Sequence, residues 1–267
     1  MELKIEYTDK ELTPWGGMVL MKKLIERTGI NQELERLPIP SQGSNRGYDP
    51  IQLINNFWVS IWSGASRYEH LEVTRQDPVI QKMFDWKRMA GHKAFQRYFK
   101  KFTQAKNNEV FTELFQWFFK QIQCDNYTLD VDSTILTRYG AQEGAAKGYN
   151  PNKRGRNSHH PLIAFIAEVR MTVNFWLRSG NSYTANNFLN FIENTFERLK
   201  GKTIGLFRAD SGFFDKKILE YLEKRAKPIN YIIAAKFYLP LKLAIAQAKT
   251  YLRVDDGIEI TEIMYQA

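Results

Sequence analysis

The chain has 267 residues, 43% hydrophobic and 14% aromatic, which is enough to bury a sizeable core and excludes a disordered chain. A net charge of +9 and pI near 9.4 favour a polyanionic partner. A single cysteine, Cys124, excludes an internal disulfide framework and suits a reducing compartment, while the absence of a long apolar run or signal-like N-terminus points to a cytoplasmic chain with no membrane partner.

Residues 14–122 read as helical. "GMVLMKKLIERTGI" is amphipathic and stops at Gly29, and "DPIQLINNFWVSIWSG" starts at an Asp49 cap with Pro50 in the first turn and ends at Gly64. A turn at Gly91 precedes a basic helix predicted from His92 to Phe102. Its apolar stripe is Phe95, Tyr98, Phe99 and Phe102, with Lys93, Arg97, Lys100 and Lys101 off the stripe. A turn before a basic helix suits a helix that reads DNA, and equally a packing helix with a solvated face. "NNEVFTELFQWFFKQI" closes this half as a further helix.

From Tyr127 the pattern changes to strands alternating with helices. "YTLDVDSTIL" alternates, with Leu129, Val131 and Ile135 on one face and Asp130, Asp132 and Thr134 on the other. "LIAFIAEV" and "TVNFWLRSG" predict two more strands, and "SYTANNFLNFIENTFERLK" a helix. "KTIGLFRADSG", "FDKKILEYLEKRA", "INYIIAAKF" and "PLKLAIAQAK" continue as strand, helix, strand, helix, and Asp256-Gly257 predicts a terminal hairpin. The expected class is α/β (α+β): a mixed sheet with flanking helices in residues 126–267, after a helical region in residues 1–125.

Charge is concentrated in two windows. Residues 82–106 carry eight Lys/Arg against Asp85 alone, and residues 138–157 carry five against Glu143. The second window includes "GYNPNKRGRNSHHPLIAF", a turn-rich segment that offers Lys153, Arg154 and Arg156 to phosphates. His159 and His160 are candidates for DNA contact, for hydrogen bonds that orient the sheet or the nearby acid, or for metal ligation. Adjacent strand residues face opposite ways, so they do not readily hold one ion together.

Asp132 in "DVDST" and Asp210 in "RADSG" sit at strand ends in apolar surroundings, where a carboxylate needs a partner. An arginine such as Arg138 or Arg208 would serve, and so would a divalent cation if the two strands lie side by side. Asp130, on the same strand face, is an alternative or assisting ligand.

"LDVDSTI", "YGAQEGAAKGYNP", "RGRNSHHPLIAF", "LRSGN" and "RADSGFF", in this order, resemble the DDE transposases of bacterial insertion sequences. That resemblance implies a ribonuclease H-like catalytic domain preceded by a DNA-binding region. It makes Asp132 and Asp210 the first two catalytic acids and metal ligands, with Mg²⁺ or Mn²⁺ activating the attacking group and stabilising the leaving oxygen. It further implies cleavage and strand transfer on double-stranded DNA (element ends and target), nucleoid association, and a homo-oligomer when active. DNA-contacting residues would be Lys93, Arg97, Lys153, Arg154, Arg156, His159 and His160. The family's third acid lies in a Tyr-x-x-Arg-x-x-x-Glu pattern, and no such pattern occurs here. The catalytic domain is therefore expected to be incomplete at its C-terminus. The alternative reading is a truncated, inactive derivative that binds DNA or pairs with full-length subunits.

Overall fold

The computed structural model describes residues 7–124 and 126–264. The chain forms two compact units, Met1–Ile122 and Gln123–Ala267.

The first unit is all-helical: α1 (Met18–Thr28), α2 (Ile30–Arg36), α3 (Pro50–Trp62), α4 (Leu71–Arg75), α5 (Pro78–Met83), α6 (His92–Phe99) and α7 (Gln104–Gln121). The expected punctuation operates. Gly29 ends α1 in the left-handed region, and the Asp49 carboxylate accepts the Gln52 N–H at the start of α3. Asp77 caps α5 by accepting from Val79 and Ile80 N–H, and the Thr13 hydroxyl donates to it at 2.6 Å. Leu34, Leu53, Leu71, Phe95 and Leu114 form the main core, with a satellite of Val59, Ile80 and Met89.

α6 is shorter than predicted and ends at Phe99, while Phe102 stays packed against the core from the following turn. Phe95 and Tyr98 are buried, and Lys93, Arg97 and Lys100 are exposed. With no capping side chain at Gly91, Glu72 closes the N-terminus of α6 by accepting the His92 N–H at 2.8 Å. That bond, helped by the Arg75 and His92 side chains, holds the Glu72 carboxyl at about 2, against an ordinary 4.5. A depressed carboxylate stabilises the fold fully above the unfolded value and loses that effect as pH falls from about 4.5 towards 2. Glu72 is a third exposed, so screening leaves on the order of 1 kcal/mol. Glu72→Gln is expected to lower Tm by about 4 °C at pH 7, the gap closing near pH 2. Equal Tm values at pH 7 would remove Glu72 from the account of α6.

The second unit holds β1 (Asn126–Ser133), β2 (Leu136–Thr137), β3 (Ala146–Lys147), β4 (Asn157–His159), β5 (Leu162–Ile166) and β6 (Met171–Trp176). There follow α8 (Phe188–Arg198), β7 (Thr203–Ala209), α9 (Lys216–Glu223), β8 (Asn230–Ile233), α10 (Leu239–Gln247), β9 (Leu252–Asp255) and β10 (Ile258–Ile260). The main sheet has the order β6-β5-β1-β7-β8. β5 and β6 join antiparallel, and β7 and β8 run parallel to β1. This is the mixed sheet with flanking helices expected from the sequence. Leu129, Val131, Ala164, Ile166 and Phe207 are buried on one face. Phe188 of α8 meets Phe207 edge-on at 6.2 Å, and Phe191 meets Trp176 at 5.6 Å. The helix predicted from Ser182 begins only at Phe188, because residues 179–187 form two successive turns ahead of it. The hairpin β9–β10 turns at Asp256-Gly257, with Gly257 at φ +72°.

The segment between β1 and β5 is not a plain loop. β2, β4 and β3 pair antiparallel into a small sheet of their own.

Candidate active site

The two predicted acids follow the last residues paired between two adjacent inner strands. β1 and β7 are parallel neighbours whose last register pair is Val131 with Ala209, and Asp132 and Asp210 are the next residues on each strand. Asp210 keeps an extended backbone (φ −79°, ψ 179°) beyond β7. Neighbouring strands lie about 4.8 Å apart, so the two acids lie at the same end of two adjacent strands. Both residues are exposed. Each carboxylate accepts one local backbone N–H through Oδ1: Asp132 from Ser133 at 2.7 Å, Asp210 from Gly212 at 2.9 Å. Neither Oδ2 has a protein partner among the described residues. Two hard oxygen donors, fixed by their own turns and open to solvent, suit an oxygen-seeking divalent cation.

Asp130 lies one step back on the same face. Arg208, its register partner, engages both its oxygens at 2.6 and 2.7 Å. This bidentate pair also raises the Arg208 guanidinium further, through the hydrogen bond and then the charge of Asp130. Arg208 therefore neutralises Asp130 and leaves Asp132 and Asp210 as the charged pair. Arg138, the other arginine considered for the acids, donates through Nε to His159 Nδ1 at 2.8 Å.

The two histidines, candidates for DNA contact, for orienting hydrogen bonds or for metal ligation, are both buried. His159 and His160 are 3% and 7% exposed. The His159 ring accepts from Arg138 and donates through Nε2 to the Glu143 carbonyl at 3.0 Å. The His160 ring donates through Nδ1 to the Ser182 carbonyl at 2.7 Å and accepts at Nε2 from the Ser133 hydroxyl at 3.1 Å. All four ring nitrogens are used inside the fold, so neither ring is presented to phosphate or metal. His160 instead ties the residue after Asp132 to the loop before α8, and Thr184 of that loop meets Ser133 Oγ at 3.4 Å. Lys153, Arg154 and Arg156 are exposed as expected. Their turn is held by buried Asn150, which accepts the Lys153 N–H and donates to Thr137 Oγ1.

Among the described residues no group of three or more His, Cys, Asp or Glu side chains could hold a metal ion. Glu259, on β10, and Glu262, after it, do not join the acid pair in such a group. Arg178 is a residue whose role the sequence reading missed. It is 8% exposed and lies between β6 and α8, where burial pushes its guanidinium down to about 10. It donates to the carbonyls of His160, Tyr183, Thr184 and Asn186 at 2.7–3.2 Å, which fixes the loop beside the acids.

The family model of the transposase DDE domain, group 1, matches residues 1–267. The chain belongs to this family. DDE transposases work with divalent metals, in keeping with the oxygen donors at the ends of β1 and β7. Among solved structures, a piggyBac transposase synaptic complex with hairpin DNA is 13% identical at a TM-score of 0.42, covering 91% of this chain and 54% of that one. A Mos1 mariner paired-end complex with Mn is 9% identical at 0.30, covering 89% of this chain and 81% of that one. The Drosophila P element transposase strand transfer complex is 12% identical at 0.25, covering 54% and 38%. The chain thus spans about half the length of the piggyBac chain. No curated protein matches it. No helix among the described residues is long and apolar enough to cross a membrane.

Proposed function

We propose that this chain is the part of a bacterial insertion-sequence transposase that recognises DNA and carries the first two catalytic acids. The observation that supports the reading is the parallel register of β1 on β7, whose last pair, Val131 with Ala209, directly precedes Asp132 and Asp210 in a chain of the DDE family. Asp132 and Asp210 would hold Mg²⁺ or Mn²⁺. When bound, the metal supplies charge neutralisation at a phosphodiester. The chain's own residues do the rest. The Ser133–His160–Ser182 hydrogen bonds hold the turn after Asp132, and the Gly212 N–H fixes Asp210. Lys93 and Arg97 on α6, with Lys153, Arg154 and Arg156, supply phosphate contacts in the two respective units. Residues 1–125 would bind DNA and residues 126–267 would carry the catalytic sheet, acting on element ends and target as an oligomer on the nucleoid. With no group of three acids that could hold a metal among the described residues, residues 1–267 on their own are expected to bind DNA and to cleave it at a negligible rate.

Divalent cation should control DNA affinity. Without it, two exposed carboxylates repel the phosphate they are meant to receive, and a bound cation reverses that local charge. Ca²⁺ is expected to tighten binding of a fluorescein-labelled duplex by about tenfold, near 1.4 kcal/mol. Asp132→Asn and Asp210→Asn should each abolish the Ca²⁺ response. A wild-type affinity indifferent to Ca²⁺ at constant ionic strength would count against the reading.

A further inference from the structure

Tyr183 is 77% exposed, yet its backbone carbonyl is held by two hydrogen bonds. Its carbonyl accepts from the buried Arg178 at 3.0 Å and from the Asn186 N–H at 3.1 Å, and the next residue's carbonyl also accepts from Arg178. That next residue, Thr184, reaches towards both acid-bearing turns. Its hydroxyl meets Ser133 Oγ at 3.4 Å, and its methyl lies 3.1 Å from where a Cβ on Gly212 would sit. A loop that touches the turns after Asp132 and Asp210 thus carries an exposed aromatic ring one residue before its point of contact.

One exposed tyrosine is ordinary. Here two more belong to the same cluster of loops. Tyr149 is 74% exposed and follows Gly148, whose backbone packs directly on that of Gly180 and Asn181, three and two residues before Tyr183. Tyr139 is 73% exposed, with the Arg156 guanidinium 5.8 Å from its ring centroid. Lys147, Lys153, Arg154 and Arg156 are exposed on the same small sheet and its turn. Aromatic faces interleaved with cations are the chemistry that binds unpaired nucleotides, since every base offers a π-face and every linkage a negative charge. A duplex with stacked bases leaves such rings unused.

We propose that this surface takes unpaired DNA bases beside the acid pair, with the Tyr183 ring stacking on one of them. The inference rests on the transposase reading above and adds a preference for locally opened over fully paired DNA. Base–aromatic stacking is sizeable enough for one ring to change affinity about tenfold.

The test uses the whole 267-residue chain in Ca²⁺ and two labelled duplexes of one length. One is fully paired, and the other has a central segment of three mismatched pairs. Wild type is expected to bind the opened duplex about tenfold more tightly. Tyr183→Ala should bind both alike, and Tyr183→Phe should keep the preference because the ring and not the hydroxyl stacks. Tyr183 is exposed, and circular dichroism verifies that both variants stay folded. Equal wild-type affinity for the two duplexes, or a preference that survives in Tyr183→Ala, would overturn the inference. Failure of the transposase reading has a separate signature: no Ca²⁺ response on either duplex.

Discussion

Gly148→Ala is expected to disrupt the small sheet and lower the stability of the second unit by roughly 3 kcal/mol or more. A Cβ at position 148 would stand 1.8 Å from the Gly180 carbonyl oxygen, 2.5 Å from its carbon and 2.9 Å from Asn181 Cα. All three are backbone atoms, so no rotamer change relieves the clash. Gly180 cannot retreat, because a Cβ of its own would meet the Ala146 and Ser158 carbonyl oxygens and Ser158 Oγ at 2.4 Å. The two glycines mark a crossing of chains that admits no side chain. The loop they anchor runs on to Thr184, so the displacement should also loosen the Ser133–His160 connection. For a unit of this size the loss corresponds to a Tm about 10 °C lower in calorimetry. Gly16→Ala is the control, since nothing lies within 4 Å of the added carbon. A Gly148→Ala protein that melts within a degree of wild type would show that the crossing is looser than the structure has it.

The helical half was legible where capping residues and periodicity agree. Asp49, Pro50 and Gly64 bracket α3, and the aromatic run of α7 continues as expected, although it starts earlier at the Thr103 cap. The shorter pieces, α2, α4 and α5, were not anticipated, since five to seven residues carry little periodic signal. In the second half, the alternation of "YTLDVDS" predicted β1, and the order of strands and helices predicted a mixed sheet able to bring Asp132 and Asp210 together. The small sheet went unseen because two- and three-residue strands have no period to read. The partners of charged residues were less legible still. That Arg208 serves Asp130, and neither Asp132 nor Asp210, follows from the parallel register of β1 and β7, which no local pattern encodes. His159 and His160 followed a basic turn and suggested a surface, but the end of β4 and the residue after it turn them inward to carbonyls and a hydroxyl. Arg178 stood in a recognisable block, "LRSGN", yet its task of holding four carbonyls is visible only in three dimensions.

Asp132 and Asp210, and not Asp130, are proposed to hold a divalent cation at the end of the two central strands. Mg²⁺-like cations keep several waters and need few protein oxygens, so two carboxylates suffice for one ion of modest affinity. Removing either charge leaves a single carboxylate, which is no better than an ordinary surface acid. Asp130 is already committed to Arg208, so its loss should act only through the arginine it frees. The decisive measurement is Mn²⁺ binding to the purified chain, followed by the loss of the free-ion electron paramagnetic resonance signal. Wild type should bind one Mn²⁺, Asp132→Asn and Asp210→Asn should each bind at least tenfold more weakly, and Asp130→Asn should stay within about threefold of wild type. Wild-type Mn²⁺ affinity in either of the first two variants, or its loss in Asp130→Asn alone, would contradict the account.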